Sequence, residues 1–139
     1  MSEEDTIEKF RRLAEPRRRI EPARLPGERL PYVAFDCKDN PIRLDIRGRT
    51  VGHRVPYGYM PLLTYTPWTF DKLMITVSNL VIVIRGERLE AIADAIGWLS
   101  CVFIQEYDPE HFLEPTDPKA PLVRSIESKL RHGMEMEDE

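Results

Sequence analysis

Hydrophobic and polar residues alternate over much of the middle of the chain, which predicts β-strands. Ile42, Leu44 and Ile46 alternate with charged residues, as in a strand that buries one face and exposes the other. Lys38-Asp39-Asn40-Pro41, just before them, has the composition of a turn. Strands are predicted in this order: 32–36, 42–47, 50–55 and 101–107.

The clearest local prediction is a β-hairpin. Apolar residues alternate from Leu73 to Val77, and the chain then meets Ser78-Asn79 before a second apolar run at 80–84. Asparagine tolerates the left-handed backbone that a two-residue turn requires. Because the returning run is apolar on both faces, we expect it to lie in the centre of its sheet.

Three segments have apolar residues at helical spacing. In the first, over 1–15, Ile7, Phe10 and Leu13 form a stripe that ends before Pro16. The second begins after Gly86, which ends the hairpin strand, and finishes near Gly97. Its apolar stripe consists of Leu89, Ile92, Ala93 and Ile96.

The third helical segment is predicted near the end of the chain. Leu122, Ile126 and Leu130 are four residues apart, which indicates a helix that ends at Gly133. Leu122–Ile126 also fits a strand, so this alternative stays open.

Together these elements predict an α+β fold and four regions. The sheet is expected to be largely antiparallel with five to seven strands, with one helix packed across it and further helices at both termini. A partly closed barrel is the alternative arrangement. The predicted regions are an N-terminal helix (1–15), a Pro/Arg-rich arm (16–31), an α+β domain (32–132) and a disordered acidic tail (133–139).

Composition indicates one soluble domain. The chain has 139 residues, 42% of them hydrophobic, and a net charge of −4. This is enough apolar material for one core, and the charge gives no general attraction to nucleic acid or anionic lipid. The acidic N-terminus lacks the apolar stretch of a secretory signal, and no apolar run is long enough to span a bilayer. A cytoplasmic location is therefore expected.

The two cysteines, Cys37 and Cys101, lie far apart in sequence and match no metal-binding or redox motif. Two cysteines can form one disulfide. In a cytoplasmic protein, however, free and mostly buried thiols are the expected state.

The segment 57–70 is unusually rich in aromatic residues and contains three prolines. Rigid amphipathic rings on a surface are good anchors for a partner, although they also fill cores. Arg85, at the end of the apolar hairpin strand, is a further candidate because it can reach the sheet rim. The predicted partner-binding residues are Tyr57, Tyr59, Tyr65, Trp68 and Arg85.

The segment from Lys9 to Arg24 is strongly basic, with seven basic residues against two acidic ones and a local charge of +5. Guanidinium groups bind phosphates and carboxylates, so this arm is a candidate for contact with nucleic acid or another anion. A solvated run of charge is the alternative. The candidate contacts are Arg11, Arg12, Arg17, Arg18 and Arg19.

No pattern for a cofactor, metal or catalytic site is present. The chain lacks a P-loop, a dinucleotide-binding glycine motif and a nucleophile elbow. The acidic loop 106–117 contains His111 but not the spacing of a calcium loop, so we expect no metal there. A catalytic pocket formed by His53, Tyr57, Arg85 and Glu106 is kept as an alternative, because active sites assemble in space.

Three short motifs resemble those of small uncharacterised bacterial domains of unknown function. They are Pro56-Tyr57-Gly58-Tyr59-Met60, Ile84-Arg85-Gly86-Glu87-Arg88-Leu89 and Gln105-Glu106, and the resemblance covers about residues 41–108. It implies no activity and transfers no site residue.

The sequence therefore favours a non-enzymatic interaction module that binds a protein partner or a second copy of itself. Nucleic-acid binding through the basic arm and the aromatic surface is the first alternative, and a small enzyme is the second.

Overall fold

The computed structural model describes residues 28–131. In this part of the chain 47% of residues are in strands and 11% are helical, and the ten strands form three sheets, none of them closed. The elements are β1 Leu30–Pro31, β2 Phe35–Cys37, β3 Arg43–Arg47, β4 Gly52–Pro56, a 3-10 turn Tyr57–Tyr59, β5 Leu62–Tyr65, β6 Lys72–Val77, β7 Leu80–Glu87, α1 Glu90–Gly97, β8 Cys101–Gln105, β9 Phe112–Leu113 and β10 Leu122–Leu130.

Two four-stranded sheets make up most of the fold. Sheet I is antiparallel with the order β10-β7-β6-β5, and sheet II is mixed with the order β2-β8-β3-β4. In sheet II, β8 runs parallel to β3, because the chain leaves this sheet after β4, forms β5, β6 and β7 of sheet I and then α1, and only then returns as β8. Strands β1 and β9 form a small parallel pair.

One apolar core lies between the sheets and the helix. Sheet I contributes alternate residues, including Ile82 and Ile84 of β7, and sheet II contributes Leu44 and Ile46. The helix buries one stripe against them, with Ile92 and Ile96 on the buried side. Val81 and Val83 alternate with the core residues of β7 and therefore lie on the outer face of sheet I.

Tyr32 joins the two sheets through its side chain. Its hydroxyl donates to the Gln105 carbonyl at 2.6 Å and accepts from the Val123 backbone N–H at 3.1 Å. The Tyr107 N–H also donates to the Val123 carbonyl at 2.8 Å. The end of β8 in sheet II is thereby tied to the start of β10 in sheet I.

The structure confirms the hairpin and the central helix. Strands β6 and β7 pair around Ser78-Asn79, and Ser78 has the left-handed backbone with φ 54°. Strand β7 lies between β10 and β6, as its apolar character on both faces predicts. The helix over 90–97 buries the predicted stripe.

The predicted α+β class is wrong, because the described chain is mainly sheet with a single α-helix and no closed barrel. The predicted C-terminal helix is strand β10, which pairs with β7 along most of its length. The predicted N-terminal helix lies outside the described residues, as does the tail 133–139. Among residues 28–131, no helix has the length and apolar character needed to cross a bilayer.

Candidate functional site

An apolar groove lies between the edge strand β5 and helix α1. Leu63 and Tyr65 pair with Ile75 and Leu73, two fully buried core residues, so all four side chains share the inner face of sheet I. Strand β5 ends the sheet, and in residues 28–131 no other strand pairs with its outer edge. The core face of the sheet therefore continues into the groove and reaches solvent there.

One wall of the groove is a pair of stacked rings. The Tyr65 and Phe70 rings are nearly parallel, with 5.2 Å between centroids and 7° between planes. The Phe70 N–H donates to the Thr66 carbonyl, and the Leu89 N–H donates to the Phe70 carbonyl, both at 3.0 Å. These bonds fix the loop between β5 and β6 against the start of α1, so the rings are held in place before any ligand arrives.

The opposite wall is the C-terminal half of α1. It presents Ala93, Asp94, Gly97 and Trp98 to a groove volume of about 390 Å³. Trp98 is 83% exposed although it borders apolar side chains. A Cβ built on Gly97 would meet no atom within 4 Å, so the groove is open at that point.

The groove has a negative character. Among the described residues that line it, Asp94 is the only Asp, Glu, Lys, Arg or His. The last turn of α1 contains no basic residue, and the partial negative charge of a helix C-terminus lies at this end. The groove therefore suits a ligand that combines an apolar group with a positive charge.

Three of the predicted partner-binding aromatics are exposed, and one of them lines the groove. Tyr65 lines it, Tyr59 is 72% exposed before β5, and Trp68 is 96% exposed in the loop after β5. Met60 and Leu62 add exposed apolar side chains between them. Exposed apolar side chains therefore occur before, within and after β5, on both faces of the strand.

Tyr57 lies in the core instead, so it is not available for partner contact. It is only 9% exposed, and its hydroxyl donates to the Cys101 carbonyl at 2.6 Å. Burial raises the pKa of this hydroxyl far above its ordinary value. For this residue the structure shows the core position that the sequence left open as the alternative.

The loop that carries Trp68 has an unfavourable backbone. Trp68 has φ 73° and Phe70 has φ 45°, both in the left-handed region that L-residues with bulky side chains rarely adopt. A highly exposed tryptophan in such a conformation gains little from burial, which indicates that stability alone does not explain it.

Replacement of Trp68 by glycine is therefore expected to leave the midpoint of thermal unfolding unchanged or raised, because glycine adopts this backbone without strain. Ser78→Gly is the matched control, since Ser78 also has a positive φ but lies in the distant hairpin turn. We expect only Trp68→Gly to weaken ligand binding. Calorimetric melting of both variants checks the first point, and a melting point lowered by Trp68→Gly alone would show a structural role.

The remaining predicted contacts lie elsewhere. Arg85 follows Val81 and Val83 on the outer face of sheet I, opposite Lys72 and Ser125, and does not border the groove. The five arginines of the basic arm, Arg11, Arg12, Arg17, Arg18 and Arg19, lie outside the described residues.

The structure does not bring the four residues of the alternative catalytic pocket together. The Tyr57 hydroxyl is at Cys101, where β8 begins, whereas Glu106 follows the end of that strand, about 17 Å away at the usual rise per residue. Arg85 lies on the face of sheet I opposite to the core that contains Tyr57. His53 shares the core-side face of β4 with Val55.

Glu106 has a local structural contact. Its buried carboxylate accepts from the Arg49 backbone N–H at 3.2 Å and holds the turn between β3 and β4. Next to it, Asp108, Glu110 and His111 place one ligand atom each within 4.8 Å of one another. The Arg49 guanidinium lies 3.5 Å from Asp108, and hydrogen bonds from Glu110 N–H and His111 lower the pKa of Asp108. The Arg49 guanidinium thus already provides a positive charge beside Asp108, where a metal ion would have to bind.

Sequence reasoning missed the helix wall of the groove. Trp98 directly follows a glycine at the end of an amphipathic helix, and its position about 180° from the apolar stripe indicated exposure. Asp94 and Gly97 gave no comparable signal, because their importance comes from facing β5.

No protein-family model matches the chain, and neither curated proteins nor solved structures include a match to it.

Proposed function

We propose that this protein is a non-enzymatic interaction module that binds an extended segment of a partner protein in the groove between β5 and α1. The observation that carries the proposal is the apolar groove bordered by exposed Tyr65 and Trp98, in which Asp94 is the one charged side chain that the described part of the chain contributes. The cytoplasmic location expected from the sequence is part of the same proposal.

The open edge of β5 supports an extended ligand. A strand that pairs with this edge would gain main-chain hydrogen bonds. Because side chains alternate between faces, every second side chain of such a ligand would point towards the inner face and α1. That direction leads into the groove, where Leu63 and Phe70 provide apolar contact.

The charge of the groove narrows the ligand further. Asp94 and the C-terminal end of α1 favour a lysine or arginine next to the inserted apolar side chain. Tryptophan and tyrosine at the border are residue types that contribute strongly to binding energy at interfaces. The expected partner motif is therefore a large apolar residue with a basic residue nearby, in an extended conformation.

Peptide selection tests this proposal without a known partner. A random-peptide phage library is selected on the full-length protein, and the enriched peptides are then tested on Gly97→Leu, which adds a side chain at an open position in the groove lining. Ala91→Leu adds the same side chain to an exposed position six residues, or about 9 Å, along the same helix. Both variants should remain as stable as the wild type, since leucine favours helix more than glycine or nearly as much as alanine.

We expect enriched peptides with the apolar-basic motif that bind Ala91→Leu normally and Gly97→Leu at least about tenfold more weakly. Peptides that bind both variants equally, or a selection without a shared motif, would contradict the proposal. Self-association would be seen as a molecular mass of the wild type that rises with protein concentration, and Gly97→Leu would abolish this rise. That result would mean that the groove binds a second copy of the chain and not a segment of another protein.

A further inference from the structure

The two cysteines, far apart in sequence, are direct neighbours across two strands. Cys37 at the end of β2 and Cys101 at the start of β8 are partners in the antiparallel register. The Lys38 N–H donates to the Ser100 carbonyl at 2.9 Å, and the Cys37 N–H donates to the Asp36 carboxylate at 2.8 Å. The bond from Lys38 to Ser100 borders Cys37 and Cys101 on one side as in a non-hydrogen-bonded pair, and a β-bulge separates the two cysteines from the Asp36–Phe103 pair on the other side.

That type of pair has the geometry a disulfide needs. In non-hydrogen-bonded antiparallel pairs the Cα atoms are only about 4.5 Å apart and the side chains lie on the same face. Disulfides span Cα distances of about 4.4–6.8 Å. Both thiols are free in the structure.

The surroundings of the two thiols differ, which sets the order of reaction. Cys37 is exposed, whereas Cys101 is fully buried and its thiol contacts the Phe103 carbonyl at 3.4 Å. Burial raises the pKa of Cys101 to about 12. An external reagent therefore reaches Cys37 first. Cys101 reacts second, because only a very small fraction of its thiol is ionised at neutral pH.

We propose that Cys37 and Cys101 form a modification site that a low-molecular-weight disulfide oxidises to an intramolecular disulfide. The Cys37 thiolate attacks one sulfur of the reagent, forms a mixed disulfide and releases one thiolate. Cys101 then attacks the Cys37 sulfur after losing its proton to solvent, and the second reagent thiol leaves. In sum the protein loses two hydrogen atoms, and the reagent is reduced to two thiols.

The proposal is tested by treating the folded, full-length protein with oxidised glutathione at pH 7 and pH 9 and following its intact mass. The wild type should first gain the mass of one glutathionyl group and then convert to a form that has only lost two hydrogens. Because Cys101 must be deprotonated, the second step should be about tenfold faster for each pH unit in this range.

Two variants separate the steps. Cys101→Ser should stop at the mixed disulfide, and Cys37→Ser should stay unmodified at pH 7. The closed form encloses a long loop and should melt roughly 10 °C higher than the reduced form. A wild type that retains its glutathionyl group at pH 9, or that forms the bond only in urea, would overturn the inference. None of these results depends on the groove, so the proposed function can fail independently.

Discussion

Gly86→Ala is expected to lower the free energy of unfolding by about 2–4 kcal/mol, because β10 leaves no room for a methyl group at this position. A Cβ on Gly86 would collide with the backbone carbonyl of Leu122 and lie 3.1 Å from the Val123 Cα. These atoms are backbone, so no side-chain rotation relieves the collision. The strand must move, and β10 is held in place by its long pairing with β7.

Urea denaturation followed by circular dichroism measures this loss. Gly58→Ala is the matched control, since a Cβ there meets no atom within 4 Å. We expect the control to stay within about 0.5 kcal/mol of the wild type. Equal stability of the two variants would show that β10 does not approach β7 as closely as described.

Tyr32→Phe should cost about 2–4 kcal/mol, since one hydroxyl satisfies a backbone acceptor in sheet II and a backbone donor in sheet I. Removal of that hydroxyl leaves the Gln105 carbonyl and the Val123 N–H without this partner, next to a core residue that is fully buried. Tyr59→Phe, which changes a highly exposed ring, is the control and should have no measurable effect.

The same hydroxyl makes stability depend on alkaline pH. Burial is the main cause that raises the pKa of Tyr32 to about 12, from 10 in the unfolded chain. Between these values the folded state binds the proton more tightly, so the free energy of unfolding should fall as pH rises from 10 to 12. Tyr57 and Cys101 have raised pKa values as well, so Tyr32→Phe should reduce this slope without abolishing it. An unchanged slope would contradict the role of Tyr32 as the link between the sheets.

The hairpin and the helix could be predicted from sequence because their signals are local. The turn at Ser78-Asn79 and the stripe of α1 each depend on residues a few positions apart.

The wrong prediction of a C-terminal helix has an identifiable cause. A bulge between Val123 and Ser125 leaves Arg124 without a residue directly opposite it in β7. The extra residue changes which positions of β10 face the core, so that Val123, Ile126 and Ser128 all do.

With this shift the apolar residues of β10 no longer follow a period of two. Intervals of four residues, as between Leu122, Ile126 and Leu130, fit one face of a helix as well as one face of a strand, and pairing with β7 decides for the strand. Gly86, opposite Val123, provides the close approach that the bulge requires, and neither feature is visible without the partner strand.

The groove could be predicted only in part. The aromatic density of 57–70 indicated an unusual segment, and Tyr59, Tyr65 and Trp68 do lie at the surface. The 3-10 turn separates Tyr57, which points into the core, from Tyr59, which is exposed two residues later. The second wall depends on β5 being the sheet edge and on α1 passing beside it, which are properties of sheet order rather than of local pattern.

Isothermal titration of the full-length protein with a selected apolar-basic peptide tests the central claim most directly. The account predicts that wild type and Ala91→Leu bind with the same affinity and that Gly97→Leu binds at least about tenfold more weakly, with its melting temperature unchanged. Equal affinity of all three proteins would show that the ligand binds outside the groove between β5 and α1, and would contradict the account.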